Sequence, residues 1–188
     1  MSDKRQHLVE TALKLFYEKG IHSIGINEIL KVAGVAKKTL YTHFESKEAL
    51  LLAALKQRDE IFVQWLDNRL AGAETNQQTV EKVFNALEEW FSGAAPELGD
   101  FRGCFFVNTS AEFSDPNSDI SLYCQAHKQR VRELIKTHMP FSNTPLLDAI
   151  CLLKEGAINT AYVEHDLSTP RKCIRLLNTL GNLEGADS

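Results

Sequence analysis

The segment that decides the fold is residues 26–44, which read INEILKVAGVAKKTLYTHF. Residues 26–33 and 36–43 each have the length and apolar spacing of a short helix, and Gly34 stands between them. A tight turn there needs a positive φ, which glycine adopts at no steric cost. Two short helices joined in this way form a helix-turn-helix corner. Four apolar side chains would hold the corner against neighbouring helices: Ile29, Val35, Leu40 and Phe44.

The second helix of this corner leaves a polar face exposed. That face carries Lys37, Lys38, Thr39, Tyr41, Thr42 and His43. Cations, hydrogen-bond donors and methyl groups are the mix that contacts phosphates and base edges. No Asp or Glu occurs from Ile29 to Phe44, where an acid would be repelled by a phosphate backbone. The pattern favours nucleic-acid binding, although a corner without that function would have the same apolar spacing.

The charge distribution agrees with this interpretation better than the net charge does. The chain has a formal net charge of −4. Residues 1–58 hold 10 Lys and Arg against 6 Asp and Glu, whereas residues 59–188 hold 11 against 19. A basic N-terminal part on an acidic remainder suits a protein that touches phosphates at one end.

Outward from the corner, the pattern predicts an all-α fold of about nine helices. Glycines, prolines and capping residues punctuate the periodic segments, and strand alternation bounded by hairpin turns is not seen. We expect a helix-turn-helix domain over residues 1–48 and a helical domain over residues 49–188. The predicted helices are 4–18, 26–33, 36–43, 47–70, 76–92, 103–114, 118–138, 144–165 and 170–182.

Composition limits the class of protein. Hydrophobic residues make up 44% of the 188 residues and charged residues 24%, which is ordinary for a globular protein. The apolar runs are too short to span a bilayer, and the N-terminus lacks the pattern of a signal peptide. We therefore expect a cytoplasmic protein, without a membrane partner, whose four cysteines are reduced. Motifs for a phosphate loop, a nucleophile elbow or a zinc protease are missing, so we predict neither an enzyme nor a cofactor.

Three stretches near the N-terminus carry a family resemblance: residues 12–20 (ALKLFYEKG), 33–44 (AGVAKKTLYTHF) and 46–50 (SKEAL). With them, residues 4–50 resemble the N-terminal domain of transcriptional regulators of the TetR/AcrR type. The resemblance implies that the third helix enters the major groove of double-stranded DNA. It also implies DNA contacts from Lys37, Lys38, Thr39, Tyr41 and His43, and a phosphate contact from Lys47.

The resemblance further implies a homodimeric repressor that acts on a two-fold symmetric operator in the nucleoid and is released by an unknown small molecule. Residues 102–108 (RGCFFVN) and 153–157 (LKEGA) are similar to the common body of such regulators. In that body the last two long helices pair with their copies. Their apolar stripes predict this interface: Leu146, Ile150, Leu153, Ala157, Ala161, Ile174 and Leu177. The alternative is that these stripes face the core of a monomer.

Aromatic and polar side chains of the body could line an effector pocket. Cys104, Asn108 and Glu112 share one helix face at a spacing of four residues. The full predicted set is Trp90, Cys104, Asn108, Glu112, Tyr123, His127 and Tyr162. For each of them, a place in the core or on the surface is the competing interpretation.

Alternatives for the signal and for the function stay open at this level. Cys104 follows Arg102, which would favour its thiolate, so a redox- or electrophile-sensing regulator with the same DNA-binding head is possible. Cys124 and His127 lie three residues apart, and His138, His165 or Cys151 could join them at a metal, but a second pair with metal spacing is missing. A module that binds only proteins would leave the acid-free lysine face unexplained.

Overall fold

A computed structural model describes residues 3–184, with the side chains described up to residue 179. Within that range the chain forms nine α-helices and one short 3-10 helix. The α-helices are α1 (Asp3–Lys19), α2 (Ile26–Ala33), α3 (Lys37–His43), α4 (Lys47–Leu70), α5 (Asn76–Phe91), α6 (Phe105–Glu112), α7 (Asp119–Thr137), α8 (Thr144–Val163) and α9 (Thr169–Glu184). The prediction of an all-α fold is confirmed.

The helix-turn-helix forms where the sequence indicated. Gly34 ends α2 with a φ of 65°, and its backbone N–H donates to the carbonyl of Leu30. Ile29, Leu40 and Phe44 are buried together with an apolar face of α1, while Val35 is half-buried. Burial of these side chains fixes α2 and α3 against α1 and leaves the polar face of α3 outside.

Helix starts follow capping chemistry. The Ser46 hydroxyl accepts from Ala49 N at 3.1 Å, Thr75 accepts from Gln78 N at 3.1 Å, and Asn143 accepts from Leu146 N at 3.0 Å. Each bond satisfies a backbone donor that a helix start leaves without an intrahelical partner. These residues set the beginnings of α4, α5 and α8.

Two details differ from the predicted helices. The sixth helix is shorter than residues 103–114, because Gly103 has a φ of 77° and Phe113 has extended backbone. A 3-10 helix at Pro96–Leu98, which was not predicted, occupies the connection before it.

The chain divides into two compact units. Unit 1 comprises residues 1–61 and 104–128, and unit 2 comprises residues 62–103 and 129–188. The division falls within α4 and within α7, so it differs from the predicted functional boundary at residues 48 and 49, which stays a prediction. In the described residues, no helix is both long and apolar enough to cross a membrane.

Candidate functional site

The exposed face of α3 carries most of the predicted DNA contacts. Lys37, Lys38, Tyr41 and Thr42 are exposed, and Thr39 is half-buried. The helix α3 contains no acidic residue, since its sequence from Lys37 to His43 is KKTLYTH. The arrangement presents two ammonium groups, two hydroxyls and a phenol to solvent, all of which can contact phosphates or base edges.

Local contacts organise this face. The Lys37 ammonium lies 5.9 Å from the centroid of the Tyr41 ring, and the Thr42 hydroxyl donates to the carbonyl of Lys38 at 2.8 Å. His43, at the end of α3, is half-buried and has interactions of its own. At the turn of the corner, a His7 ring nitrogen lies 3.0 Å from the carbonyl oxygen of Ala33, the last residue of α2. Sequence reasoning missed His7.

Lys47, the predicted phosphate contact, lies at the first turn of α4. Its Nζ donates to the carbonyl oxygen of Ile21 at 2.6 Å and lies 5.8 Å from the centroid of the Phe16 ring. An ammonium has three donors, so this bond leaves others for a phosphate. Lys47 is half-buried, and its head group is held by the connection between α1 and α2.

Five of the predicted effector residues belong to unit 1. They form two groups with different neighbours. Tyr123 and His127 both bond the buried carboxylate of Asp59, at 3.1 Å from the phenol and 2.6 Å from the imidazole. Phe106 stacks on His127 with 3.5 Å between ring centroids. Sequence reasoning missed Asp59, although residues 58 and 59 continue the apolar stripe of α4 and charged residues at such positions signal a buried pair.

Cys104 is the N-cap of α6, and Asn108 and Glu112 follow it on that helix at the predicted spacing. Cys104 is buried, and the Lys128 ammonium donates to its sulfur at 3.3 Å. Asn108 is half-buried. Glu112 bonds the connection between α1 and α2 through Ile21 and His22. The carboxylate therefore has protein partners where the prediction gave it a ligand.

Trp90 and Tyr162 belong to unit 2. Trp90 is buried in an aromatic cluster, and Phe101 lies 5.0 Å from Trp90 and 6.3 Å from Tyr162 between ring centroids. Tyr162 lines an open cleft of about 480 Å³. The other residues of this cleft are Phe91, Ser92, Gly93, Asp100, Phe101, Arg102, Ala161, His165 and Leu167. Phe101 and the polar residues around it were not predicted.

The monomer itself covers part of the predicted dimer face. Ile150, Ala157, Ala161 and Leu177 are buried inside the monomer, and Leu146, Leu153 and Ile174 are half-buried. The buried members pack within the monomer, and the predicted dimer face stays a prediction. The exposed apolar side chains of α8 and α9 lie on other faces: Leu152 (74% exposed), Tyr162, Val163 (64%) and Leu176 (51%).

The cysteines and histidines bear on two alternatives from the sequence, a thiol-based signal and a metal site. Burial raises the pKa of the Cys124, Cys151 and Cys173 thiols, which keeps them protonated. Among the described residues, no group of three or more His, Cys, Asp or Glu side chains is arranged to hold a metal ion. His127 bonds Asp59, and the Asp67 carboxylate accepts from His138 Nε2 at 2.6 Å.

Comparison with known proteins shows which proteins the N-terminal helices are similar to. Residues 8–54 match the model of the bacterial regulatory proteins of the tetR family. The HTH-type transcriptional repressor NemR of Escherichia coli K12 is 30% identical over 118 residues, which are 63% of this chain and 58% of NemR. In sequence, the match thus spans less than two thirds of that relative.

Solved structures extend the likeness over nearly the whole chain. SCO4454, a TetR-family transcriptional regulator from Streptomyces coelicolor, is 28% identical with a TM-score of 0.80, covering 95% of this chain and 88% of that one. A TetR transcriptional regulator from Chloroflexus aurantiacus is 26% identical with a TM-score of 0.78, covering 94% and 93%. The N-terminal part of the chain thus matches the tetR family model, and nearly the whole chain has the fold of these TetR-family regulators.

Proposed function

We propose that the protein is a sequence-specific DNA-binding transcriptional regulator that acts as a homodimeric repressor on the nucleoid, in the cytoplasm. The observation that carries the proposal is the exposed face of α3. Lys37, Lys38, Tyr41 and Thr42 point cations and hydroxyls outward on a helix without acidic residues. The names of the relatives, which include a transcriptional repressor, support the same function.

The residues of this face have two different roles in DNA binding, base contacts and phosphate contacts. Lys37, Lys38 and Thr39 are at the start of α3, the part of a recognition helix that reaches base edges. Tyr41, Thr42 and His43 follow toward its end and suit phosphate contacts, with Lys47 at the start of α4. Phosphate contacts supply most of the affinity and its salt dependence, and base contacts supply the choice of sequence.

Selection from random DNA tests the sequence-specific reading. The purified protein is incubated with a pool of random duplexes, and the bound fraction is sequenced after several rounds. We expect an enriched motif made of two inverted half-sites, because two copies of α3 in a symmetric dimer read the same sequence on opposite strands. A bound pool without an enriched motif would contradict sequence-specific binding.

The dimer surface follows from exposure. Leu152 and Val163 on α8, together with Leu176 on α9, leave apolar area in water that a second copy would cover. Gly156, exposed between the two α8 positions, would allow close approach of a partner helix. We therefore assign the interface to this face rather than to the buried stripe that contains Ile150.

A charge introduced at an exposed apolar residue inside the proposed interface, compared with one introduced outside it, tests this assignment. Leu152→Glu would place a charge in the interface, and we expect light scattering after gel filtration to report a monomer. Phe141→Glu is the matched control, because Phe141 is 66% exposed but precedes α8. A dimer that persists in Leu152→Glu, or that is lost equally in Phe141→Glu, would exclude this face.

A small molecule is proposed to release the DNA. The cleft around Tyr162 combines the aromatic walls of Phe91 and Phe101 with the side chains of Arg102 and His165, which suits a small aromatic compound that carries polar groups. Such a ligand acts by preferring a body conformation with lower operator affinity. A thermal-shift screen of aromatic acids and amines, repeated with Tyr162→Ala, tests the cleft: hits should lose their shift in the variant, and hits that keep it would place the ligand elsewhere.

A thiol-based signal is the second candidate, favoured by one contact. Cys104 lies 3.3 Å from the Lys128 ammonium, whereas burial raises the pKa of the other three thiols. Electrophiles and oxidants react with cysteine sulfur, so a sulfur with a polar neighbour is the place to look for such a signal. The structure of Escherichia coli NemR in a reduced form has a TM-score of 0.77 to this chain at 24% identity, which supports the fold alone. After brief alkylation of the native protein, mass spectrometry should find Cys104 modified before Cys173; four unreactive thiols would contradict this candidate.

A further inference from the structure

The carboxylate of Glu112, at the end of α6, binds the connection between α1 and α2. Glu112 Oε1 accepts from Ile21 N at 2.8 Å, and Oε2 accepts from His22 N at 2.6 Å. The His22 ring nitrogen Nδ1 lies 3.1 Å from the same Oε2. These partners are about 90 residues from Glu112 in sequence. A carboxylate that accepts two backbone N–H groups from consecutive residues fixes the position of that backbone.

The same peptide group is bound on its other side by Lys47. The peptide between Ile21 and His22 has its carbonyl oxygen 2.6 Å from Lys47 Nζ and its N–H 2.6 Å from Glu112. The ammonium therefore lies at the negative end of the peptide dipole and the carboxylate at its positive end. Hydrogen bonds in such a chain polarise and strengthen one another. We call this arrangement the carboxylate bridge: Glu112, the Ile21–His22 peptide and Lys47.

The surroundings are shaped to admit the carboxylate. Gly20 has a φ of +84°, and a Cβ built on it would lie 3.3 Å from Glu112 Oε1, so a side chain there would crowd the bridge. Phe113, the next residue after Glu112, stacks on the His22 ring with 5.2 Å between centroids. The Glu112 side chain is 25% exposed, which limits competition from water. Several independent contacts thus hold the bridge in one geometry.

We propose that Glu112 is a positioning residue for DNA binding: through the Ile21–His22 peptide it holds the ammonium of Lys47 where it meets a phosphate. The inference rests on the proposed DNA-binding function and assigns Glu112 a role beyond it. A negative charge close to a DNA-binding surface would otherwise repel the phosphates. In the bridge, the negative charge of Glu112 is directed at the backbone N–H groups of Ile21 and His22. Through this backbone segment, the carboxylate fixes the position of the Lys47 ammonium.

Two opposite effects on DNA affinity separate positioning from simple repulsion. If Glu112 positions Lys47, Glu112→Ala weakens binding to a duplex by about tenfold and Glu112→Gln, which retains one acceptor oxygen, by less. The slope of log affinity against log salt should also fall by about 0.9, the value expected for one lost phosphate contact. Fluorescence anisotropy at several salt concentrations gives both quantities. Glu60→Gln, an exposed carboxylate on α4, is the matched control and should leave affinity and slope unchanged.

A double-mutant cycle makes the coupling explicit. Lys47→Ala should lower the affinity and the salt slope on its own, and Glu112→Ala in that background should add little, because the group it positions is gone. Tighter binding by Glu112→Ala would overturn the inference, since it is the result of repulsion alone. Fold-changes that multiply in the double variant would overturn it as well.

A readout without DNA keeps the test independent of folding defects. In amide NMR spectra, Glu112→Gln should move the Ile21 and His22 resonances most and speed their hydrogen exchange, while thermal unfolding shows that the variant is folded. Unmoved amide resonances would remove the bridge itself. Absence of DNA binding by the unaltered protein would contradict the proposed function, whereas binding with full affinity by Glu112→Ala would contradict the positioning role alone.

Discussion

The two units of the molecule are stabilised by different means. Unit 1 buries charged groups: Asp59 bonds His127 at 2.6 Å, and the buried Arg58 guanidinium lies 4.9 Å from the centroid of the Tyr17 ring. Unit 2 also buries Lys154, but its main feature is an aromatic cluster, in which neighbouring ring centroids are 4.5 to 6.4 Å apart. The cluster consists of Phe62, Trp65, Trp90, Phe91 and Phe101.

The difference suits the proposed tasks of the two units. Hydrogen bonds and ion pairs are directional, so they determine the position of a backbone segment such as Ile21–His22. Apolar burial is not directional, and its stabilising free energy is roughly proportional to the apolar area removed from water. Unit 1 presents α3 and would need an exact geometry toward DNA, whereas unit 2 provides bulk, an exposed apolar face and a cleft. Substitutions should therefore have different signatures in each unit.

The largest effect is expected in the aromatic cluster. Trp90→Ala removes a buried ring that contacts four others, and large-to-small changes of this kind cost about 4 kcal/mol of unfolding free energy. Urea unfolding at a fixed protein concentration measures the change. The conservative Trp90→Phe should recover a large part of it. A loss below about 1 kcal/mol in Trp90→Ala would show that the cluster is not the core of unit 2.

The buried pair of unit 1 should show a coupling free energy between its two partners. Asp59→Ala leaves His127 buried without its carboxylate and should cost about 3 kcal/mol. Because the remaining partner causes much of that loss, the double variant Asp59→Ala/His127→Ala should be less destabilised than the sum of the single variants. Urea unfolding of the four proteins gives the coupling free energy. Strictly additive losses would contradict a direct interaction.

Two glycines of unit 2 separate backbone strain from steric contact. Gly103 and Gly93 have nearly equal φ values, 77° and 78°, but a Cβ on Gly103 would lie 3.1 Å from the Tyr162 ring and one on Gly93 would meet nothing within 4 Å. We expect Gly93→Ala to cost about 1 kcal/mol for the left-handed backbone, and Gly103→Ala about 2 kcal/mol. Equal losses would mean that Tyr162 moves aside freely.

The smallest effect is electrostatic and depends on pH. Hydrogen bonds from Lys172 and Ser168 lower the pKa of Asp166 from 3.8 to about 2. A group with a depressed folded-state pKa adds stability above its unfolded value and loses it as the pH falls toward the folded value. The melting temperature of the unaltered protein should exceed that of Asp166→Asn above about pH 4, and the gap should close toward pH 2. A gap that is constant with pH would contradict this origin, and Asp100→Asn serves as the control for an exposed acid.

Helix boundaries and the helix-turn-helix could be predicted because their causes are local. Gly34 needs its positive φ, Ser46 caps α4, and the apolar spacing repeats within each helix. The outward face of α3 followed from the same spacing. These features require no knowledge of which distant segments meet.

The contacts that could not be predicted join distant segments. The bridge from Glu112 to Ile21 spans 91 residues and uses backbone N–H groups, which any sequence supplies. Which face of α8 the monomer covers could not be predicted for a related reason. That helix has apolar residues on two faces, and the period alone does not tell whether the Ile150 face or the Leu152 face is covered by the monomer.

The proposed function depends on α3 being the DNA-binding surface, and the salt dependence of DNA binding tests this most directly. Anisotropy of a labelled duplex would be measured at several salt concentrations with the unaltered protein, with Lys37→Ala/Lys38→Ala, and with Lys56→Ala/Lys136→Ala, which removes two exposed lysines from other helices. We predict steep salt dependence for the unaltered protein and the control, and weaker binding with a slope lower by about two for the α3 variant. Equal affinities and slopes for the two double variants, with all three proteins folded by circular dichroism, would contradict the assignment of α3 as the DNA-binding surface.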